Sequence, residues 1–294
     1  MSTWQLAFST HRRKATREPE FSWLDGRGHV RVQDVPSVLP SDLLDVDRMD
    51  LMHYASKSVT PAIYSGDLPN PSRILDIGVG SGAWLRDMSA LFPDCDCVGM
   101  DINNLLGPDV LSSRISYKEG DILQGLPFPD KHFDFIHQRF MVTFIPAKSW
   151  HKVARDVYRA CRPGGLANFS DLDFRGMRTG PIFQQLLGAM WTGANAGGAD
   201  PGLAFGLEST LQNAGFVNVR LHTYDFPVGD WGGPIGSLTR LALERTMQAI
   251  RPAVVKLGLY TEAQFDQLIA GLPEELNKCR TCMSLCAHEA WRPA

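Results

Sequence analysis

The stretch RILDIGVGSGAW, Arg73 to Trp84, sets three glycines at alternate positions directly after an apolar run. At Gly78, Gly80 and Gly82 no Cβ stands between the main chain and a ligand, so a strand can break into a turn that approaches one closely. Such a turn needs a strand before it and a helix after it, and RILDIG and AWLRDMSALF have those periodicities. Alternation continues through CDCVGMDI, RISYKEGD, FDFIHQRF, the helical SWHKVARDVYRAC and GLANFSDLDF. Short apolar strands interleaved with helices predict an α/β fold built on a doubly wound, mostly parallel sheet. Further on, LESTLQNAG reads as a helix, VNVRLHTYDF as a strand, and the span from Ser237 to Leu276 as two helices. The terminal CRTCMSLCAHEAW alternates with period two and predicts a last, antiparallel strand.

In a sheet of this kind the ligand lies across the carboxyl ends of the strands, where the chain order reverses. The residues Gly78 to Ala83 also satisfy the dinucleotide pattern G-x-G-x-x-G/A, with Asp101 placed to hold a ribose. A pyrophosphate over the following helix would, however, meet the carboxylate of Asp76, two places before the first glycine. A ligand with a cationic end turns that repulsion into attraction. S-adenosylmethionine (SAM) has no phosphate and carries a sulfonium and an ammonium. Asp101 closes the second strand, where its oxygens can accept both ribose hydroxyls. Asp121 ends the third strand and can accept the adenine amine, while Ile122 packs on the ring.

The ordered set D-x-G-x-G-x-G, the acidic end of CVGMD, G-D at Gly120-Asp121, F-D at Phe133-Asp134 and CRPGG resembles the class I SAM-dependent methyltransferases. VLPSDLLDVDRMDLMHY, Trp84, LFPDCDCVGMD, FDFIHQRF and GLANFSDLDF narrow it: the chain is similar to the LaeA-like methyltransferases of fungal secondary metabolism, over roughly residues 38 to 175. The resemblance implies a Rossmann-like fold, SAM, and methyl transfer to a small natural product. It also extends to SAM-binding regulators of secondary metabolism, and class I folds host some SAM-dependent enzymes that do not methylate.

Cofactor contacts are expected from Asp76, Gly78, Gly80, Gly82, Trp84, Asp101, Ile102, Asp121, Ile122 and Arg139. Trp84 either lines the pocket or is core on the first helix. His137, at the end of the fourth strand, is either a catalytic base or a buried structural histidine. Acceptor contacts are expected from Tyr54, Phe140, Asp171 and Trp191, with His53 beside Tyr54 and with Phe183 and Trp231 as further aromatic caps. Arg139, Arg175 and Arg178 are the cations expected near the mouth, too few for a polyanionic acceptor. A small apolar or aromatic acceptor follows, with O, N or C as the methylated atom and the oligomeric state open.

Residues 1–40 read as an arm, disordered at its start around the basic HRRKATR, and residues 41–294 as one domain with cap segments near 175–202 and 230–276. Ser41 or Asp42 is expected to cap a helix presenting Leu44, Leu51 and Ala55. With 29 basic and 32 acidic residues in 294, the net charge of −3 gives no reason to expect nucleic acid, and no apolar run is long enough for a membrane span. MSTWQLAFSTHRRK lacks the order of a signal peptide, which predicts a cytoplasmic or nuclear protein. Cys279, Cys282 and Cys286 have metal-like spacing. In a strand, though, Cys282 and Cys286 stand roughly 13 Å apart, too far for one ion, so no metal is expected.

Overall fold

The computed structural model describes residues 21–32, 35–107 and 109–294. The basic cluster His11–Arg17 and the disorder expected at the start of the arm lie outside the described residues. The rest of the arm is not the irregular segment expected. Strands β1 (Phe21–Leu24), β2 (Arg27–Val32) and β3 (Val35–Pro36) form a small antiparallel sheet. Its first turn is Asp25-Gly26, both at positive φ (48° and 73°), the conformation that matches a two-residue hairpin to the twist of its strands.

Helix α1 (Val46–Val59) starts later than expected, because a 3-10 turn at Leu43–Asp45 intervenes. Asp42 is turned away from α1: its carboxylate accepts from the Gly28 N–H at 2.7 Å and pairs with Arg27 at 3.0 Å. Leu44 consequently falls outside α1 and is 73% exposed, while Met52, His53 and Ala55 form the buried face.

The domain then alternates as expected through β4 (Arg73–Ile77), α2 (Ala83–Leu91), β5 (Asp96–Asp101), β6 (Ile115–Glu119), β7 (Phe133–Arg139), α3 (Trp150–Ala160) and β8 (Cys161–Met177). Next come α4 (Pro181–Ala196), α5 (Leu203–Gly206), α6 (Glu208–Ala214), β9 (Val217–Pro227), α7 (Gly233–Lys256), α8 (Glu262–Cys279) and β10 (Cys282–Trp291). Seven strands form one sheet in the order β6-β5-β4-β7-β8-β10-β9. All its pairs are parallel except those of β10, which runs antiparallel to both neighbours. The chain goes outward from β4 through β5 to β6 and then crosses to β7, so the order reverses between β4 and β7. Ile74, Leu75, Ile77, Phe133 and Phe135 are fully buried there, as the apolar runs demand of strands covered on both faces.

The segment near 175–202, expected as a cap, is mostly helix α4, which buries Phe183, Leu186, Leu187 and Met190. Its first turn is fastened to α8, where the Glu275 carboxylate accepts from the N–H groups of Ile182 and Phe183 at 2.9 and 2.8 Å. Among the described residues, no helix is long and apolar enough to cross a membrane, and no group of three or more His, Cys, Asp or Glu could hold a metal ion. Cys279 ends α8, whereas Cys282 and Cys286 lie on β10.

Candidate functional site

A cleft of about 210 Å³ opens at the carboxyl end of the sheet, around the switch between β4 and β7. The glycine turn is its floor. Gly78, Gly80 and Gly82 have φ of 70°, 52° and 80°, and Gly78 and Val79 donate their N–H groups to the Met100 carbonyl of β5 at 2.8 and 3.2 Å. The left-handed turn favours glycine at Gly80, where a Cβ would also lie 2.9 Å from Met49 Sδ in the roof.

Asp101, at the end of β5, is oriented by the turn it faces. One oxygen accepts the Gly80 N–H at 3.0 Å and the other the Ile102 N–H at 2.8 Å. Burial outweighs these bonds and raises its pKa to about 6. Asp121 accepts the Leu123 N–H at 2.8 Å, and Asp121, Ile102 and the buried Ile122 complete that wall.

At the other end, Asp76 and His137 are register neighbours on β4 and β7, and the His137 Nδ1–H donates to Asp76 Oδ1 at 2.8 Å. A carboxylate partner fixes that tautomer. The imidazole also stacks on Trp84, with centroids 3.7 Å apart and planes 7° from parallel, while Trp84 Nε1 donates to the Ile63 carbonyl at 2.8 Å. Trp84 is therefore both core and pocket wall. Burial lowers the His137 pKa, so the ring is neutral near pH 7.

Arg139, at the end of β7, donates from Nη2 to His53 Nδ1 at 2.8 Å. His53 Nε2 in turn donates to Asp87 Oδ2 at 3.1 Å, which also accepts from Lys57 at 2.6 Å. Burial, together with the Arg139 charge, holds His53 down at about 4, which leaves Nδ1 free to accept. Burial lowers Arg139 to about 10, so it stays cationic, and it makes no ion pair among the described residues.

Three of the four expected acceptor contacts lie away from the cleft; Phe140 lines it. Tyr54 is 43% exposed and its hydroxyl accepts from Arg86 Nη2 at 2.9 Å, because consecutive helical residues point about 100° apart and it is His53 that faces inward. Asp171 is buried below the wall, where its carboxylate accepts from the Val142 and Leu172 N–H groups at 2.8 and 3.1 Å. Trp191 packs against Gly202 and Phe183 is fully buried, because both belong to α4 and not to a loop. Trp231 lies between the guanidinium groups of Arg178 and Arg280, and Arg175 is paired with Asp173. The roof comes instead from Val30 of β2, Leu39, Met49 and Met52, with Met141 and Phe144 from the turn after β7. Aliphatic residues of this kind carry no chemical signature; the signal for Val30 was the Asp25-Gly26 dipeptide between alternating residues.

A reversing α/β sheet with a glycine turn, an acidic strand end and a half-buried cation beside it is the Rossmann-like, cofactor-binding architecture. Within that class, residues 51–221 match the family described as a methyltransferase domain, and the chain belongs to that family. It is a SAM-dependent methyltransferase. The chain is 26% identical over 265 residues to the methyltransferase str2 of Strobilurus tenacellus, which covers 85% of this chain and 94% of that one. It is 27% identical over 146 residues to the secondary metabolism regulator laeA of Coprinopsis cinerea, a match that covers 46% of this chain and 35% of that one. The solved structure of phosphoethanolamine N-methyltransferase 2 of Haemonchus contortus has a TM-score of 0.50 at 18% identity, covering 86% of this chain and 60% of that one, a likeness of fold alone.

Proposed function

We propose that the protein methylates a small, largely apolar acceptor of fungal secondary metabolism, with SAM lying along the carboxyl edge of the sheet from Asp76 and Arg139 to Asp121. Arg139 carries this reading. A half-buried guanidinium hydrogen-bonded to a neutral histidine makes no ion pair among the described residues, and a carboxylate from a ligand would offset its charge. Asp76, held by His137, offers the opposite charge to an ammonium, so the two together suit an α-amino acid end. Asp101 would then accept the ribose hydroxyls, and Asp121 the adenine amine.

When bound, SAM supplies a methyl group activated by its sulfonium. What the chain must do is hold acceptor and methyl in line and exclude water. Asp76 and Arg139 anchor one end, and the hairpin and α1 close the roof. His137 positions Asp76, its Nδ1 being already committed and its pKa lowered by burial. The small apolar acceptor is supported by Met49, Met52, Met141 and Phe144, and by the charge of the wall: Arg48 is already paired with Asp45, so among the described residues the cleft carries no track of cations for a polyanion.

The partial likeness to laeA favours a second reading, a SAM-binding regulator without a small substrate. Incubation with SAM and a panel of phenols, aromatic amines and carboxylic acids separates them. Release of S-adenosylhomocysteine (SAH) with a methylated product supports the enzyme reading. SAH binding without turnover of any acceptor would support the regulator, and SAM consumption without methylation a different SAM chemistry.

A further inference from the structure

Beneath α1, on the sheet face that carries Asp76 and His137, lies a second cavity of about 30 Å³. Met52 lines both it and the cofactor cleft, so one unbranched side chain is a wall common to the two. The other walls come from β8 (Leu172, Phe174), α7 (Ala242, Thr246, Met247) and Met283 of β10. The lining hydroxyls are already used: Thr246 Oγ1 donates to the Ala242 carbonyl at 2.8 Å and Thr239 Oγ1 to the Pro227 carbonyl at 2.5 Å. With their hydrogens committed, as that of the lining Ser56 is to the Met52 carbonyl, these hydroxyls leave water few partners. Left empty, it forfeits contacts that a close-packed interior normally makes. Three of its wall residues, Met52, Met247 and Met283, are methionines, the side chain that adapts most readily to a variable apolar guest.

We propose that this cavity receives an apolar tail of the acceptor, admitted from the cleft past Met52, so that the substrate class is a small molecule whose nucleophilic head carries an alkyl substituent. The proposal rests on the reading of the neighbouring cleft as the site of SAM and acceptor. At about 30 Å³ the cavity has room for roughly two or three small groups, and rotation of Met52 would lengthen it.

The test is calorimetric titration of phenol, 4-ethylphenol and 4-propylphenol into the SAH-saturated protein. Affinity is expected to rise roughly threefold to fourfold per added methylene. Ala242→Phe, which fills the cavity from α7 without touching the cofactor cleft, should abolish that rise and leave SAH affinity unchanged. Met52→Ala, which enlarges the opening, should shift the preference to longer chains and guards against a misfolded first variant. Affinities independent of chain length, or a rise that survives Ala242→Phe, would overturn the proposal while SAH binding stood. Failure of the wild-type protein to bind SAH would overturn the cofactor reading and this proposal together.

Discussion

Asp101 is a carboxylate whose acceptor capacity depends on a proton near neutral pH. Its pKa is raised to about 6, so at pH 6 about half the molecules carry Asp101 as the acid, which accepts hydrogen bonds less well; the ribose contact proposed for it would weaken accordingly. Ligand binding through both oxygens favours the ionised form, which means that binding releases a proton around that pH and that affinity falls as pH drops through about 6. Calorimetry of SAH between pH 5 and 8 should show that decline in the wild type and not in Asp101→Asn. The residues that sequence located best share this kind of position. Asp76, Gly78, Gly80, Asp101 and Asp121, which line the cleft, are placed by their distance from a strand end, which period-two alternation marks, whereas Gly82 faces Leu106 and Val110 outside it. Tyr54 and Trp191 were misplaced because their orientation depends on helical phase. The cap of α1 was expected at Ser41 or Asp42, whereas the helix begins at Val46, and α4 occupies a glycine-containing segment expected only as a cap.

Asp171 links β8 to the turn that carries Met141 and Phe144 into the cleft. Its backbone partners stabilise the ionised form, yet burial wins and pushes its pKa up to about 7. A folded-state pKa above the unfolded one means that the native state holds the proton longer. The contribution of Asp171 to stability is therefore fully present below about pH 4 and is lost as pH rises through about 7. Asp171→Asn should flatten that part of the Tm profile between pH 4 and 7 relative to the wild type, and an identical pH slope in both would contradict the assignment. The small sheet β1–β3 was legible only in part. The Asp25-Gly26 turn signal is local, but what holds the hairpin down is the contact of Arg27 and Gly28 with Asp42, fourteen or fifteen residues away, which periodicity does not record.

Across the whole molecule, the order of strands and helices from Arg73 to Phe174 was readable because each element has its own period and the glycine turn assigns the first crossover. The second layer was not. The packing of α7 on α1, and of α4 on α8, brings together residues far apart in sequence, and that packing keeps the expected aromatic caps off the cleft. A cleft with Asp76 and Arg139 at one end and Asp101 and Asp121 at the other therefore emerges from the sheet, the hairpin, α1 and the turn after β7. The proposed cofactor site stands or falls on Arg139 holding the cofactor's carboxylate. Arg139→Met, titrated with SAH and with 5′-methylthioadenosine, which lacks the amino-acid end, tests this most directly. SAH affinity is expected to fall by about tenfold or more, the usual worth of a charge-assisted hydrogen bond, while methylthioadenosine affinity changes less than about twofold. Equal losses for both ligands, or an unchanged affinity for SAH, would contradict it.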